Sequence, residues 1–386
     1  MKQKEKMKDQ VSAPWASFWR TAGPTHVLHR FETVFTDKDR KPLPRVMREF
    51  LMVSLKTKGL ATHYFSSFLY RKAVENVMDY LGNNEMKRIQ LALANRQLVA
   101  MLGNKLFFYE HYRKSNIPLP RLLAYNLGQK LFLFTEGERC EACEIRSRNE
   151  MQDGIKRMFS LSPGSSIFVK PITASGGSGI RWLSSGQNGL PDAEIKELHD
   201  SVSSGCFMFQ EKVAQNEEMS RLYPSSVNTV RVDTFTEPGK DPRIISMFVR
   251  VGANGSIVDN IAAGGLFIGI DAAKGTLRGV AYQKLGKGAA VFTSHPNTGV
   301  PFKGFRIPFF EEVKQLAVLA ARWLPESLVG WDIAVSSKGP VLIEGNWYYD
   351  MQLSDVAYGG YRRNPAFLNL ERYVRKSTES PQLSTR

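Results

Sequence analysis

From residue 165 onward the chain is written mostly in short segments of strand character, and this constrains the fold more than any other feature. Candidate strands lie at 167–171, 179–183, 206–213, 227–236, 243–251, 265–270, 276–282, 329–335 and 341–345, with another at 130–134. Helix signals interrupt them at 192–204 and at 309–323, the latter opened by Pro308 with Glu311 and Glu312 in its first turn. Strand runs mixed with a few helices predict an α+β fold with mostly antiparallel sheets.

The first 85 residues have a different texture. "PRVMREFLMVSLKTKGL" and "SSFLYRKAVENVMDYLG" carry apolar residues every three or four positions and are expected to be helical. Residues 1–80 hold 15 Lys/Arg against 8 Asp/Glu, which suits either a solvated helix face or peripheral contact with an anionic membrane or a partner protein. "NKLFFYEHYRKSNIPLPRLL" reads as a helix closed by the NIPLP turn, and the tail "STESPQLSTR" reads as disordered.

A formal charge of +15 over 386 residues asks for an anionic partner. The basic residues are spread along the chain, with no zinc-finger spacing and no RNP-like aromatic cluster, so nucleic acid is not the expected partner. No run of 18 uncharged apolar residues spans a membrane, and "MKQKEKMKDQ" lacks the apolar core of a secretory signal, so a cytoplasmic location is expected. Cys140, Cys143 and Cys206 are odd in number and too few for a disulfide scaffold. The "CEAC" pair has no second pair at zinc-site spacing, which leaves ordinary thiols.

Three stretches carry chemistry. In "IFVKPITASGGSGI" a strand delivers Lys170 to its end, and Ser175, Gly176, Gly177 and Ser178 begin a loop able to present several N–H groups to one anion. Together they read as a phosphate clamp, or more blandly as a glycine-rich hairpin beside a snorkelling lysine. In "GWDIAVSSKGPVLIEGN" a hairpin centred on Lys338 sets Asp332 opposite Glu344, with Asn346 on the same face and Ile333, Val335, Val341 and Ile343 on the core face. Opposed carboxylates repel unless a cation lies between them, and two carboxylates with an amide oxygen suit Mg²⁺. In "CFMFQEKVAQNEEMS" an apolar strand ends at Gln210, Glu211, Lys212 and Val213, with Glu218 seven residues past Glu211. Such an end offers backbone groups to a purine and a carboxylate to ribose, or is simply a charged strand end.

The order of these pieces resembles the ATP-grasp superfamily over about residues 95–350. The wording of "SSVNTVRVDTF", "GGLFIGID", "HPNTG" and "GWDIAVSSKGPVLIEGN" resembles its sugar-transfer-associated branch. The resemblance implies an ATP-grasp fold, two α+β lobes gripping ATP, in residues 86–386, with 165–215 as its central subdomain and 1–85 as a helical extension. It also implies ATP and Mg²⁺ as cofactors, with Lys105 and Lys170 on the phosphates and the 175–179 loop closing over them. By the same resemblance Glu211, Lys212 and Val213 hold adenine, Glu218 holds ribose, and Asp332, Glu344 and Asn346 bind metal. Arg231 would meet the transferred phosphoryl group, with Asn228 beside it; many relatives instead carry an arginine close before the metal aspartate, where this chain has Gly330 and Trp331.

Weaker substrate candidates are His295, Asn260, Gly264 and Gly265, with Asp259 nearby; Trp347, Tyr348 and Tyr349 suit a sugar ring or a plain aromatic core. The implied reaction is ATP-dependent joining of a small-molecule carboxylate to an amine through an acyl phosphate, in surface-polysaccharide or secondary-metabolite synthesis. A phosphotransferase acting on a hydroxyl is the alternative, and a non-catalytic nucleotide binder would have lost these lysines or carboxylates.

Overall fold

The computed structural model describes residues 33–135, 139–164, 166–174, 179–184 and 190–379. The basic start of the chain, the glycine-rich loop at 175–178 and residues 380–386 of the tail lie outside them, while Ser377, Thr378 and Glu379, expected to be disordered, continue the last helix. In chain order come helices α1 (Leu43–Thr57), α2 (His63–Ser66), α3 (Asn83–Ala92), α4 (Arg96–Gly103) and α5 (Lys105–Tyr112). Then follow β1 (Leu122–Leu127), β2 (Lys130–Phe134), β3 (Cys140–Glu144), α6 (Arg148–Leu161), β4 (Ile167–Pro171), β5 (Arg181–Leu183), α7 (Asp192–Val202) and β6 (Phe207–Glu211). These strands pair antiparallel into one sheet in the order β3-β2-β1-β6-β4-β5.

After α8 (Glu217–Leu222) the chain builds β7 (Thr229–Thr236), β8 (Arg243–Val251), β9 (Leu266–Asp271), β10 (Thr276–Gln283) and β11 (Val291–Phe292). Helix α9 (Phe310–Arg322), the hairpin β12 (Ser327–Ser336) and β13 (Gly339–Asn346), and helices α10 (Met351–Tyr358) and α11 (Pro365–Glu379) complete it. This second antiparallel sheet runs β11-β10-β9-β8-β7-β12-β13. The α+β expectation holds, and the strands expected at 167–171 and 243–251 coincide with β4 and β8.

Local chemistry sets the boundaries. Asn95 and Asn104 cap α4 and α5 through their side-chain oxygens, and Ser147 with Glu150 forms a reciprocal capping box on α6. Glu311 and Glu312 sit in the first turn of α9, where the helix dipole favours them. The smaller sheet has a core of its own, drawn from Leu123 to Phe209 and closed by Met151, Ile155, Ile195 and Leu198 of α6 and α7. Alternate residues of β8 divide the larger sheet: Met247, Val249 and Val251 pack beneath α9, while Phe248 faces the other way.

The helix expected through 66–82 is overturned. Helix α2 ends at Ser66, and Phe68 then takes a left-handed backbone with φ of 59°. Phe68, Leu69 and Tyr70 are consecutive and all buried, an arrangement that a helix with one inward face cannot supply. They pack with Val46 and Val53 of α1 against Phe248, Phe267 and Leu285, so the first described helices cover the larger sheet. A buried ion pair secures this cover. Lys41 Nζ, 1% exposed, donates to Glu49 Oε2 at 2.6 Å and to the Leu69 carbonyl at 2.8 Å, while Arg45 Nε and Tyr64 Oη also donate to Glu49. Removing one partner leaves the other charge buried and alone, so Glu49→Ala should destabilise the protein by about 3–5 kcal/mol in denaturant unfolding. The paired replacement Lys41→Met/Glu49→Leu should cost distinctly less.

Candidate active site

The two sheets enclose a cavity of about 1340 Å³. Lys170, Gln210, Glu211, Lys212 and Val213 line it from the smaller sheet, and Arg231, Arg250, Asp332, Glu344 and Asn346 from the larger one. Lys105 and Asn260 also reach its wall. Thus the lysines, the hinge segment and the acidic hairpin that lie far apart in sequence share one space.

The hairpin reaches its register by a route that simple alternation does not anticipate. The turn is Ser337-Lys338, with Ser336 paired to Gly339, and continuing that register would set Asp332 against Ile343. A bulge between Asp332 and Ile333 shifts the pairing by one residue and restores Asp332 opposite Glu344. The two-residue turn also corrects the expected core face of β13: Leu342, opposite Ile333, is fully buried, Val341 is only partly so, and Ile343 turns into the cavity wall.

Asp332 is the centre of the charge arrangement. It is 1% exposed and is the cross-strand partner of Arg231. Arg231 Nε donates to Asp332 Oδ1 at 2.6 Å and its terminal nitrogen to Oδ2 at 3.1 Å, a bidentate fork. Arg250 from β8 donates to Asp332 Oδ2 at 2.7 Å and to Asp259 Oδ1 at 2.7 Å. Asn346 Nδ2 stands between Asp332 Oδ2 at 3.4 Å and Glu344 Oε1 at 3.2 Å. Burial pushes the Asp332 carboxyl up, but the two guanidiniums outweigh it and hold it below the ordinary carboxylate range. Asp259 lies on the other side of that balance: burial raises it despite Arg250, and the nearby Asp332 adds to the rise.

Gly330 explains where the arginine sits. An added Cβ there would come within 2.6 Å of an Arg231 terminal nitrogen and 3.1 Å of Asp233 Oδ1. The space before the metal-type aspartate is filled from across the sheet, while Trp331 points into the core and donates to Thr234 Oγ1 at 2.8 Å.

On the opposite wall, Lys170 is 8% exposed, and burial draws its ammonium down to about 8, helped by Lys105 and opposed by Glu344. Lys105, the first residue of α5, donates through its backbone to the Ile172 carbonyl at 2.9 Å and through Nζ to the Ala174 carbonyl. Both lysines are therefore tied to the segment leaving β4. In the hinge, Glu211 accepts from Ser162 Oγ, Gln210 Nε2 donates to the Pro120 carbonyl at 3.1 Å, and Lys212 lies 4.1 Å over the Trp182 ring. Gln210 Oε1 is buried with no protein partner.

Several expected residues are elsewhere. Asn216 caps α8, and the resulting helix turns an exposed Glu218 toward Arg221 at 2.8 Å, outside the cavity wall. Asn228 is fully buried and spends its amide on the Met219 and Tyr223 carbonyls. His295 is 1% exposed, bonded to the Gly252 carbonyl at 2.8 Å and stacked on Tyr223. Gly264, with φ of 102°, ends the short turn after Asn260, and a Cβ on Gly265 would strike the Asp259 carbonyl at 2.7 Å. These four residues shape the protein and do not line the cavity. The sequence reading missed Arg250, whose signal was an arginine inside the otherwise apolar strand "SMFVRV".

A cationic wall and an acidic hairpin held by two antiparallel sheets define a protein of the ATP-grasp class. The chain matches the family described as sugar-transfer associated ATP-grasp over residues 85–364, and it belongs to that family. No curated protein matches it. Among solved structures it is similar to an ADP complex of PurK, N5-carboxyaminoimidazole ribonucleotide synthetase, at 11% identity and a TM-score of 0.38, covering 66% of this chain and 47% of that one. Similarity to D-alanyl-alanine synthetase A from Vibrio cholerae O1 biovar eltor str. N16961 is 14% with a TM-score of 0.41, covering 73% and 66%. For D-alanine--D-alanine ligase from Bacillus anthracis it is 12% with 0.40, covering 77% of each chain. The chain thus spans about half the length of the first of these and two thirds of the second.

Gly330→Ala tests the geometry directly. The added methyl group should force the Arg231 guanidinium off Asp332, visible in a crystal structure, and lower stability by about 1–3 kcal/mol in denaturant unfolding.

Proposed function

We propose that this cavity binds ATP with Mg²⁺ and passes the γ-phosphoryl group to a carboxylate, whose acyl phosphate an amine then captures. The convergence of Lys105 and Lys170 on the same space as Asp332, Glu344 and Asn346 carries the nucleotide half of this reading. The hinge adds a fit for the base: the orphaned buried acceptor Gln210 Oε1 suits an exocyclic amine.

The donor set fits Mg²⁺. Among the described residues no group of three or more His, Cys, Asp or Glu converges, so the hard-oxygen set is Asp332, Glu344 and the Asn346 amide. A half-turn of that amide would present its oxygen where its nitrogen now stands. The bound ion would supply charge neutralisation of the phosphates. The chain's own cations do the rest: Lys105 and Lys170 approach from the smaller sheet, and Arg231 and Arg250 from the larger. Hydrogen bonds to the Ala174 carbonyl, Asp332 and Asp259 place Lys105, Arg231 and Arg250 at the cavity before substrate arrives.

A carboxylate acceptor suits the site better than a hydroxyl. A hydroxyl needs a base to take its proton, yet Asp332 is held by two arginines and Asp259 by Arg250 and Thr229. A carboxylate arrives already ionised and is attracted by the same arginines. In the balanced reaction its oxygen displaces ADP from the γ-phosphorus. The amine nitrogen then attacks the carbonyl carbon, phosphate leaves with the electron pair of its C–O bond, and the nitrogen loses a proton to form the amide. Trp347 and Tyr348 in the cavity wall, with the sugar-transfer association of the family, support a carboxylate carried on a sugar or destined for a polysaccharide.

A screen of carboxylate and amine pairs for ADP release, with mass spectrometry of the products, tests the reading: an amide with free phosphate is expected, and a stable phosphoester would overturn it. Glu344→Ala should lower turnover at least about a hundredfold while the fold is retained, and Arg231→Ala should lower turnover by a similar factor together with a measurable loss of stability, because Asp332 loses its bidentate partner. Nucleotide affinity should also depend on pH. The ammonium form of Lys170 binds phosphate and its free-state value is about 8, so affinity should be flat below that pH and weaken by up to roughly tenfold per unit above it. Lys170→Arg, which stays charged, should flatten the titration.

A further inference from the structure

Helix α1 is apolar on two sides. Val46 and Val53 face inward, while Leu43, Met47, Leu51 and Leu55, spaced by four, form a stripe along the outside, with Met52 beside it and Leu60 just beyond the helix. Met47 is 64% exposed and Leu55 79%. Single exposed apolar side chains are ordinary, but a stripe of four on one helix face marks a contact surface. The exposed charges on the helix itself have one sign, although the exposed Glu75 stands near Arg45 on its flank. The sole acidic residue of α1, Glu49, is turned inward and neutralised by Lys41 and Arg45, whereas Arg48 is exposed beside the stripe and Lys58 stands at the helix end.

We propose that this outward face of α1 docks on an anionic phospholipid surface. Leucines and methionines that enter the headgroup boundary, with arginine and lysine beside them and no exposed carboxylate on the helix itself, are the chemistry that binds such a surface. The charge of +15 over the chain favours the approach at long range.

Size argues against a second copy of the chain as the occupant. At 1.5 Å per residue the 15 residues of α1 give a face about 22 Å long and about 10 Å wide. That is about 220 Å², well short of the ~800 Å² each partner contributes to a stable interface. A lipid surface has no such minimum, because each inserted side chain and each neighbouring cation adds to the attraction independently. The helix also shares its core cluster with Phe248 and Ile261, both in the cavity wall, so docking would hold the cavity to the membrane surface as part of one body.

Sedimentation of the full chain with phosphatidylcholine vesicles, with and without phosphatidylglycerol, tests this. Wild type should bind the anionic vesicles at least about tenfold better than the neutral ones and lose that preference in high salt. Leu51→Asp/Leu55→Asp should reduce anionic binding at least about tenfold with an unchanged melting temperature, since both side chains are already in water. Arg48→Glu provides a second, milder variant and should weaken binding in the same direction. Equal binding to both vesicle types, or undiminished binding by the aspartate variant, would overturn the proposal. Light scattering that shows a wild-type dimer made monomeric by the aspartates would assign the face to a second copy. A Leu51→Cys thiol shielded from maleimide without vesicles would assign it to the preceding segment of the same chain. Either result would also sink the membrane reading.

Discussion

A buried carboxylate between two guanidiniums fixes the centre of this molecule. Asp332 projects from β12, Arg231 from β7 and Arg250 from β8, and Glu344 and Asn346 stand on β13, so one polar cluster spans four adjacent strands. Slipping any of these strands by one residue would move its charge to the opposite face, into the core beneath α9. An unpaired charge there costs several kcal/mol, more than a typical methyl-sized packing defect. Apolar pattern and charge pairing therefore enforce the same register. The bulge beside Asp332 is the local concession that lets the turn chemistry and the charge pairing both be met.

The position of the cavity follows from the division of the cores. The smaller sheet is stabilised by side chains from between Leu123 and Phe209, the larger by a separate set beneath α9 and α5. Two bodies with separate cores meet along a polar seam, and that seam holds the lysines on one side and the arginines and carboxylates on the other. The seam is bridged by α5 and by backbone bonds such as Leu342 N–H to the Pro118 carbonyl and Asn216 N–H to the Val335 carbonyl. Helix α5 bridges the two bodies: Phe108 and Tyr112 lie in the larger sheet's core, while the Lys105 backbone N–H bonds the Ile172 carbonyl of the segment after β4.

Legibility from sequence divides along the same physical lines. Strands with period-two apolar patterns were readable; the opposition of Asp332 to Glu344 was expected from a turn centred on Lys338, whereas the Ser337-Lys338 turn alone would oppose Asp332 to Ile343 and the bulge restores the pairing. The bulge was not readable, since it adds one residue without any marker glycine, and the faces of Val341, Leu342 and Ile343 were misassigned because the turn is Ser337-Lys338 and not centred on Lys338. Asn228 was expected at the site from the resemblance, as a neighbour of Arg231, and His295 as a weaker candidate in the HPNTG stretch. In the fold their hydrogen bonds are consumed by the Met219, Tyr223 and Gly252 carbonyls. Arg250 was the converse case, a buried charge passed over although Asp259 is only nine residues on, because its other partner, Asp332, is 82 residues away. The stretch 66–82 failed as a helix because three successive buried side chains overrode its periodicity.

The same cluster bears on how a cation can be accommodated. Asp332 can serve as a metal ligand only by loosening hydrogen bonds to Arg231 and Arg250, and a guanidinium released into a buried site is costly unless another anion receives it. Arg250 already has one in Asp259 at 2.7 Å. For Arg231 the adjacent anion is Asp233, fully buried, with Oδ1 unpartnered and its other oxygen held by Ser246 and Tyr361. An added Cβ at Gly330 would touch both the Arg231 guanidinium and that free oxygen, which places them side by side. Each arginine thus has a reserve counter-ion on the side away from the hairpin, so Asp332 can change partners without leaving either guanidinium unpaired.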